Sequence, residues 1–152
     1  MRNSILLLIA VVTLTSCKEN SKNISTQTNP LITFKGLDSI NSKSKAEIEK
    51  YLQEKGYSFL NNQSKSEQWK SEKKQEIVQF NGEGVLVFFT YSHDTYKSII
   101  TDLKKSDYKS SGRSIKNNIE VESYSNDKET ILLSSLINSK DNKKAYSLTY
   151  IN

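Results

Sequence analysis

The sequence predicts an α+β fold in which two helices pack on an antiparallel sheet. Two segments repeat apolar residues at helical spacing: Ile48, Tyr51 and Leu52, then Tyr96, Ile99, Ile100 and Leu103. Short β-branched and aromatic runs separated by polar turns occupy 76–80, 85–91, 119–122, 130–133 and 146–151. The two halves also resemble each other, since Ile48, Leu52 and Tyr57 recur 51 residues later as Ile99, Leu103 and Tyr108. That match reads either as a tandem helix-plus-strands repeat or as two unrelated amphipathic helices of common composition. Two such units would give eight or so strands in one sheet, a two-layer arrangement.

Each element has a local cause. Residues 31–34 are a short apolar run and are expected as a first strand. Ser44 and Glu47 form the S-x-x-E capping box, and Gly56 suits the far end, so a helix is expected over about 45–55. Residues 58–60 and the region of Trp69 are expected to add shorter strands. Asn81-Gly82 after 76–80 is a strong hairpin signal. The continuous apolar run at 85–91 suits a central strand. Ser92 or Asp94 can cap the second helix, whose C-terminal Lys104 and Lys105 suit the helix dipole. Residues 119–122 and 146–151 alternate, and 126–127 and 138–144 are the turns between the tail strands.

With 152 residues the chain suits one domain, expected over 31–152, with halves at 31–91 and 92–152 if the repeat is real. It holds one Cys, one His, one Trp, one Met and one Pro. One Cys closes no intramolecular disulfide, and one His with one Cys cannot make a zinc site. No cofactor is expected. The net charge is +5, from 22 Lys and Arg against 17 Asp and Glu. The lysines cluster but are interleaved with acids, and arginine is scarce. That pattern suits a solvated surface and argues against nucleic acid as a partner.

Residues 1–17 follow a different logic. Arg2 precedes the apolar run Ile5 to Val12, too short to span a bilayer and of the length of a signal-peptide core. The run ends in Leu14-Thr15-Ser16-Cys17. This segment resembles the bacterial lipoprotein signal peptide and its lipobox, as in small envelope lipoproteins of Bacteroidota. The resemblance implies removal of residues 1–16, a diacylglycerol thioether on Cys17, and a further acyl chain, such as palmitate, on its new amine in a diderm host. Two or three acyl chains hold a protein stably at a membrane. Removal of Arg2 lowers the net charge from +5 to +4. Residues 18–30 are polar apart from Ile24 and are expected as a flexible tether with a reach of roughly 20 Å. The expected location is the cell envelope, at the outer membrane, facing the periplasm or the surface.

No catalytic motif stands out, and the chain is not expected to be an enzyme. Ser92-His93-Asp94 contains triad residue types, but consecutive residues do not assemble a triad, and a capping turn is expected. Glu120 and Glu122 share one strand face and suit solvent. Asp38 has no evident partner, although Asp38-Ser39-Ile40 resembles the short O-glycosylation motif of exported Bacteroidota proteins. Tyrosine is abundant, with eight residues, and Tyr91, Tyr146 and Tyr150 lie on strands. Tyrosine suits recognition surfaces, so these three are candidate binding residues on an open sheet face, and Trp69 is a candidate as an exposed anchor; for all four the other reading is that they fill the core. The expected function is a membrane-anchored, non-catalytic binding module for a protein partner. An immunity or inhibitor-type lipoprotein, or a structural or assembly accessory of the envelope, is the alternative. By architecture alone, the domain resembles small helix-plus-sheet inhibitors.

Overall fold

The computed structural model describes residues 31–63, 66–81, 85–116, 119–137 and 142–151. The lipobox Leu14 to Cys17, the signal segment 1–16, the tether 17–30 and Gly82 of the expected hairpin lie outside the described residues. The fold is mixed α+β and dominated by an eight-stranded antiparallel sheet, with three helices rather than two.

The additional helix is α1, Phe34–Asn41, which replaces the first strand expected at 31–34. Thr33 is its N-cap, its hydroxyl accepting from Gly36 N–H at 3.2 Å. Ile32 before the cap and Leu37 within the helix are both fully buried, the positions of a hydrophobic staple. Three apolar residues around Thr33 are too few to distinguish helical from strand periodicity, and the cap decides it. A Cβ at Gly36 would run into the Tyr51 hydroxyl, so the absent side chain lets α1 approach the next helix.

That helix, α2, spans Lys45–Glu54. Its capping box forms as expected, with Glu47 accepting from Ser44 N–H at 3.0 Å. Gly56 adopts φ +80°, and Tyr57 N–H returns to Leu52 C=O at 2.9 Å while Gly56 N–H returns to Gln53 C=O at 2.9 Å. This Schellman arrangement stops the helix and sends Tyr57 into the core. The third helix, α3, spans His93–Leu103 and is capped by Ser92, whose hydroxyl accepts from Thr95 N–H at 3.1 Å.

The strands are β1 Ser58–Gln63, β2 Ser66–Ser71, β3 Glu76–Asn81, β4 Leu86–Thr90, β5 Lys109–Lys116, β6 Ile119–Ser125, β7 Thr130–Ile137 and β8 Lys144–Ile151. Their order in the sheet is β1-β2-β3-β4-β8-β7-β6-β5. Two four-strand meanders therefore meet at the β4–β8 pair. The order is unchanged when β1 to β4 are exchanged with β5 to β8. Local details repeat as well. β1 carries an irregularity between Phe59 and Asn61, and β5 carries one 51 residues later, between Ser110 and Gly112.

The register places Phe88, Val78 and Trp69 in one row with Leu148 and Leu133. The next row on that face holds Leu86, Phe80, Tyr150, Ile131 and Tyr124. All of these join one buried cluster with Ile32, Phe34, Leu37, Ile40, Ile48, Leu52, Ile99 and Leu103 from the helices and their approaches. The opposite face alternates polar and apolar groups. Val87, Phe89, Leu132 and Val121 are half-buried there, and Gln68, Gln79 and Ser66 form a hydrogen-bonded ladder with bonds of 3.2 and 2.7 Å. Among the described residues, no helix is long and apolar enough to cross a membrane.

This packing fixes where a truncation is costly. Leu148 is 1% exposed on a central strand, so Leu148→Ala is expected to destabilise by about 2–5 kcal/mol. Ile115, 72% exposed on the β5 edge, is expected to tolerate the same change within about 0.5 kcal/mol. Urea unfolding of both variants measures the contrast, and equal losses would contradict this placement of the core.

Candidate functional site

The sequence-selected aromatic residues do not gather on an open sheet face. Tyr146, Leu148 and Tyr150 alternate on β8, so the two tyrosines share the face of Leu148, which is the face the helices cover. Tyr150 is 0% exposed, and Tyr146 is also buried, stacking on Tyr96 with centroids 4.4 Å apart. Trp69 is buried in the same core cluster, with Phe59 edge-on at 5.7 Å. Tyr91 lies half-buried at the bend between β4 and α3. The expectation of a tyrosine-rich binding face is thus corrected: alternation identifies residues that share a face but not which face is covered.

The remaining candidates are also placed. His93 opens α3, exposed, with its ring 5.7 Å from Tyr146. Ser92 is engaged as the cap, so Ser92-His93-Asp94 is the capping turn that was expected. Glu120 pairs with Arg113, and Glu122 accepts from the Tyr124 hydroxyl at 3.2 Å. Both acids face Tyr96, whose phenol is pushed up to about 12, first by burial and then by Glu122 and Glu120. Ser39 lies on α1, exposed, its hydroxyl donating to Gly36 C=O at 2.8 Å. Among the described residues, no group of three or more His, Cys, Asp or Glu is placed to hold a metal ion.

The arrangement that concentrates polar chemistry is one the sequence reading did not assemble. It begins from a motif that occurs twice. Tyr57, just after α2, donates its hydroxyl to Glu76 at the start of β3. Tyr108, just after α3, donates to Glu129 immediately before β7. The tyrosines are 51 residues apart and the glutamates 53.

The first pair is sealed. Glu76 is 0% and Tyr57 3% exposed. Burial holds the Glu76 carboxyl above the usual carboxylate range, although its bond from Tyr57 pulls the other way. Burial, then Glu76, pushes the Tyr57 phenol far up.

The second pair is open. It borders a cleft of about 380 Å³ lined by Asp38, Asn41, Ser42, Asp107, Tyr108, Asn126, Lys128 and Glu129. Three chain segments build it. The β6–β7 turn folds around Asn126, whose side-chain oxygen accepts from Lys128 N–H at 2.9 Å and Glu129 N–H at 3.0 Å. This Asx-type turn fixes Glu129 at the mouth. The loop after α3 supplies Asp107 and Tyr108. Helix α1 supplies Asp38, whose Oδ1 lies 3.1 Å from the Tyr108 hydroxyl, and Asn41, whose amide donates to Glu129 Oε2. Phe34 packs edge-on against the Tyr108 ring at 5.9 Å and steadies it.

Electrostatically the cleft opposes the rest of the chain. Three carboxylates face one ammonium, Lys128, in a protein of net charge +5. The Tyr108 phenol is pushed far above its ordinary value by burial, then by Glu129 and Asp38, so it stays protonated and acts as a donor. A single phenolic proton cannot serve both carboxylates, so acceptors outnumber donors. Such a site suits a donor or a positive charge.

One signal in the sequence could have found this site. Carrying the 51-residue offset past the helices brings Tyr57 and Tyr108 into register, and Glu76 and Glu129 follow them by 19 and 21 residues, at and just before the starts of β3 and β7. Asp38 and Asn41 lie on α1, which has no counterpart ahead of α3, and no pattern flagged them.

The sealed pair gives a pH prediction. The Glu76 pKa is raised in the folded state, so its contribution to stability is full below the unfolded carboxylate value and falls as pH rises through the folded one. Glu76→Gln removes that loss. Its stability relative to wild type should therefore rise between acidic and neutral pH in urea titrations. A pH-independent difference would contradict the assignment. Tyr57→Phe, which leaves Glu76 buried without its donor, is expected to cost about 1–3 kcal/mol.

Comparisons with protein-family models, with curated proteins and with solved structures find no match to this chain.

Proposed function

We propose that this chain is a bacterial envelope lipoprotein whose domain, residues 31–152, is a non-catalytic binding module for a protein partner. The anchor is the lipid on Cys17 that the Leu14-Thr15-Ser16-Cys17 lipobox implies, and residues 17–30 tether the domain to the membrane. The observation that carries the binding reading is the acidic cleft. Its carboxylates come from α1, from the loop after α3 and from the β6–β7 turn, the first and last 88 residues apart where Asn41 meets Glu129, and they oppose the sign of the whole chain. Folding spends hydrogen bonds on holding them together, which is the preorganisation that recognition requires. A protein partner suits this arrangement because an opening flanked by a helix and a turn admits a projecting side chain.

The domain itself is two copies of one unit in this reading. Helix α2 through β4 and helix α3 through β8 correspond, and α1 is an addition to the first. The matching strand order, the strand irregularities 51 residues apart and the two Tyr–Glu pairs support it. The helices form one layer over the sheet.

The anchor predicts that cells expressing the full chain incorporate clickable palmitate into it, and that Cys17→Ser abolishes labelling and releases the protein from the membrane fraction. Unlabelled wild-type chain would contradict the reading. In-cell cross-linking from a photoreactive residue placed at Ser42 on the cleft rim is expected to give a discrete partner adduct that Asp38→Asn reduces. An adduct pattern indifferent to Asp38 would count against the cleft as the binding site.

A further inference from the structure

We propose that the cleft between α1 and the β6–β7 turn is a receptor for an organic cation, taking the primary ammonium or guanidinium group of its ligand between Asp38 and Glu129. This rests on the binding-module reading and names the chemistry of its ligand.

The comparison inside the molecule is the starting point. Tyr57–Glu76 and Tyr108–Glu129 occupy equivalent places, yet the first is closed and the second opens into about 380 Å³. A pair that served only to join helix to sheet could be sealed both times. At the second place α1 adds a further carboxylate, Asp38, close to Glu129 and on the same phenol. Among the described residues, Asp38, Asp107 and Glu129 take part in no ion pair, although the chain carries 22 Lys and Arg. Three carboxylates in a cleft with one ammonium, Lys128, leave an excess of negative charge that a cation can offset.

A second observation points the same way and comes from beneath the cleft. Tyr150 is 0% exposed, and its hydroxyl has no hydrogen-bond partner. It pairs across β8–β7 with Ile131, two residues beyond Glu129 in the chain. Asp38, Tyr108 and Glu129 all act on its phenol electrostatically, after burial. A buried hydroxyl without a partner is costly.

The chemistry follows from counting donors and acceptors. Two carboxylates and a phenol oxygen converge, with the Tyr108 proton and one Asn41 amide as the donors already in use. An anion would be repelled. A divalent cation asks for six or more oxygen ligands, commonly several carboxylates, and among the described residues no three acids come together in that way. An ammonium with three N–H donors, or a guanidinium with a planar fork, fits the pair. The cation could belong to a lysine or arginine side chain of a partner or to a free amine.

The test uses the full-length lipoprotein in detergent micelles, with tyrosine rings isotopically labelled. Butylamine and agmatine serve as free cations, capped Gly-Lys-Gly and Gly-Arg-Gly peptides as side-chain cations, and N-acetylbutylamine as the uncharged control. The charged probes are expected to shift the Tyr108 and Tyr150 resonances saturably, and the uncharged probe to leave them unmoved. Asp38→Asn and Glu129→Gln are each expected to weaken binding about tenfold or more, whereas Glu76→Gln at the sealed pair leaves it unchanged. Asp38 is exposed, so Asp38→Asn keeps the test valid if Glu129→Gln perturbs the fold. Tighter binding of the peptides assigns the site to a partner's side chain, and tighter binding of the free amines assigns it to a small molecule. Absence of saturable shifts with any cation, binding indifferent to both carboxylates, or a response to calcium alone overturns the proposal. Retained palmitate labelling and a retained partner adduct in that event would show that the cation assignment fails while the binding module stands.

Discussion

The pairing of β4 with β8 is the constraint on which the rest of the molecule depends. It joins two four-strand meanders that are otherwise separate in the sheet, and it lines up Leu86 with Tyr150 and Phe88 with Leu148 beneath the helices. These four side chains are at most 2% exposed. Each contributes about 1.5–3 kcal/mol on burial, so the seam stabilises more than its few hydrogen bonds suggest. Helix α3 packs on both strands of the seam and α1 packs on both other helices. The helices therefore take their position from the junction. The cleft inherits that position, because Asp38 and Asn41 on α1 can meet Tyr108 and Glu129 only when α1 and the second meander are both held against it.

The two Tyr–Glu pairs show how one local arrangement serves different ends. A tyrosine leaving a helix and donating to a glutamate at a strand start ties the helical layer to the sheet. Where nothing else approaches, as at Tyr57 and Glu76, it closes and burial raises the carboxyl pKa. Where α1 brings Asp38, closure would force two carboxylates into a low-dielectric interior, and the site stays open. Openness at the second pair is thus a consequence of charge.

Much of this fold was legible in the sequence, for identifiable reasons. The Ser44–Glu47 box, Gly56 and the Ser92 cap announce α2 and α3 because caps are local signals. Residues 76–80, 85–91 and 146–151 announce β3, β4 and β8 because central strands must be apolar or alternate. β5, Lys109–Lys116, was missed because it is an edge strand, and its lysines and serines read as a loop. α1 was missed because its deciding feature is the Thr33 cap rather than its period. Tyr146, Tyr150 and Trp69 read either as core or as an exposed binding surface, because alternation is silent about which face receives the helices. The cleft was illegible for a similar reason: Asp38 and Glu129 lie 91 positions apart, and only the packing of α1 brings them to one phenol.

Native-state hydrogen exchange followed residue by residue tests the seam most directly. If the two meanders form one cooperative unit through β4 and β8, the amides paired across that seam, those around Phe88 and Leu148, exchange last and at a single free energy shared by both halves. If the halves instead open at separate free energies, with the seam exchanging before β2–β3 or β6–β7, the β4–β8 pairing is not what holds the structure and its cleft together.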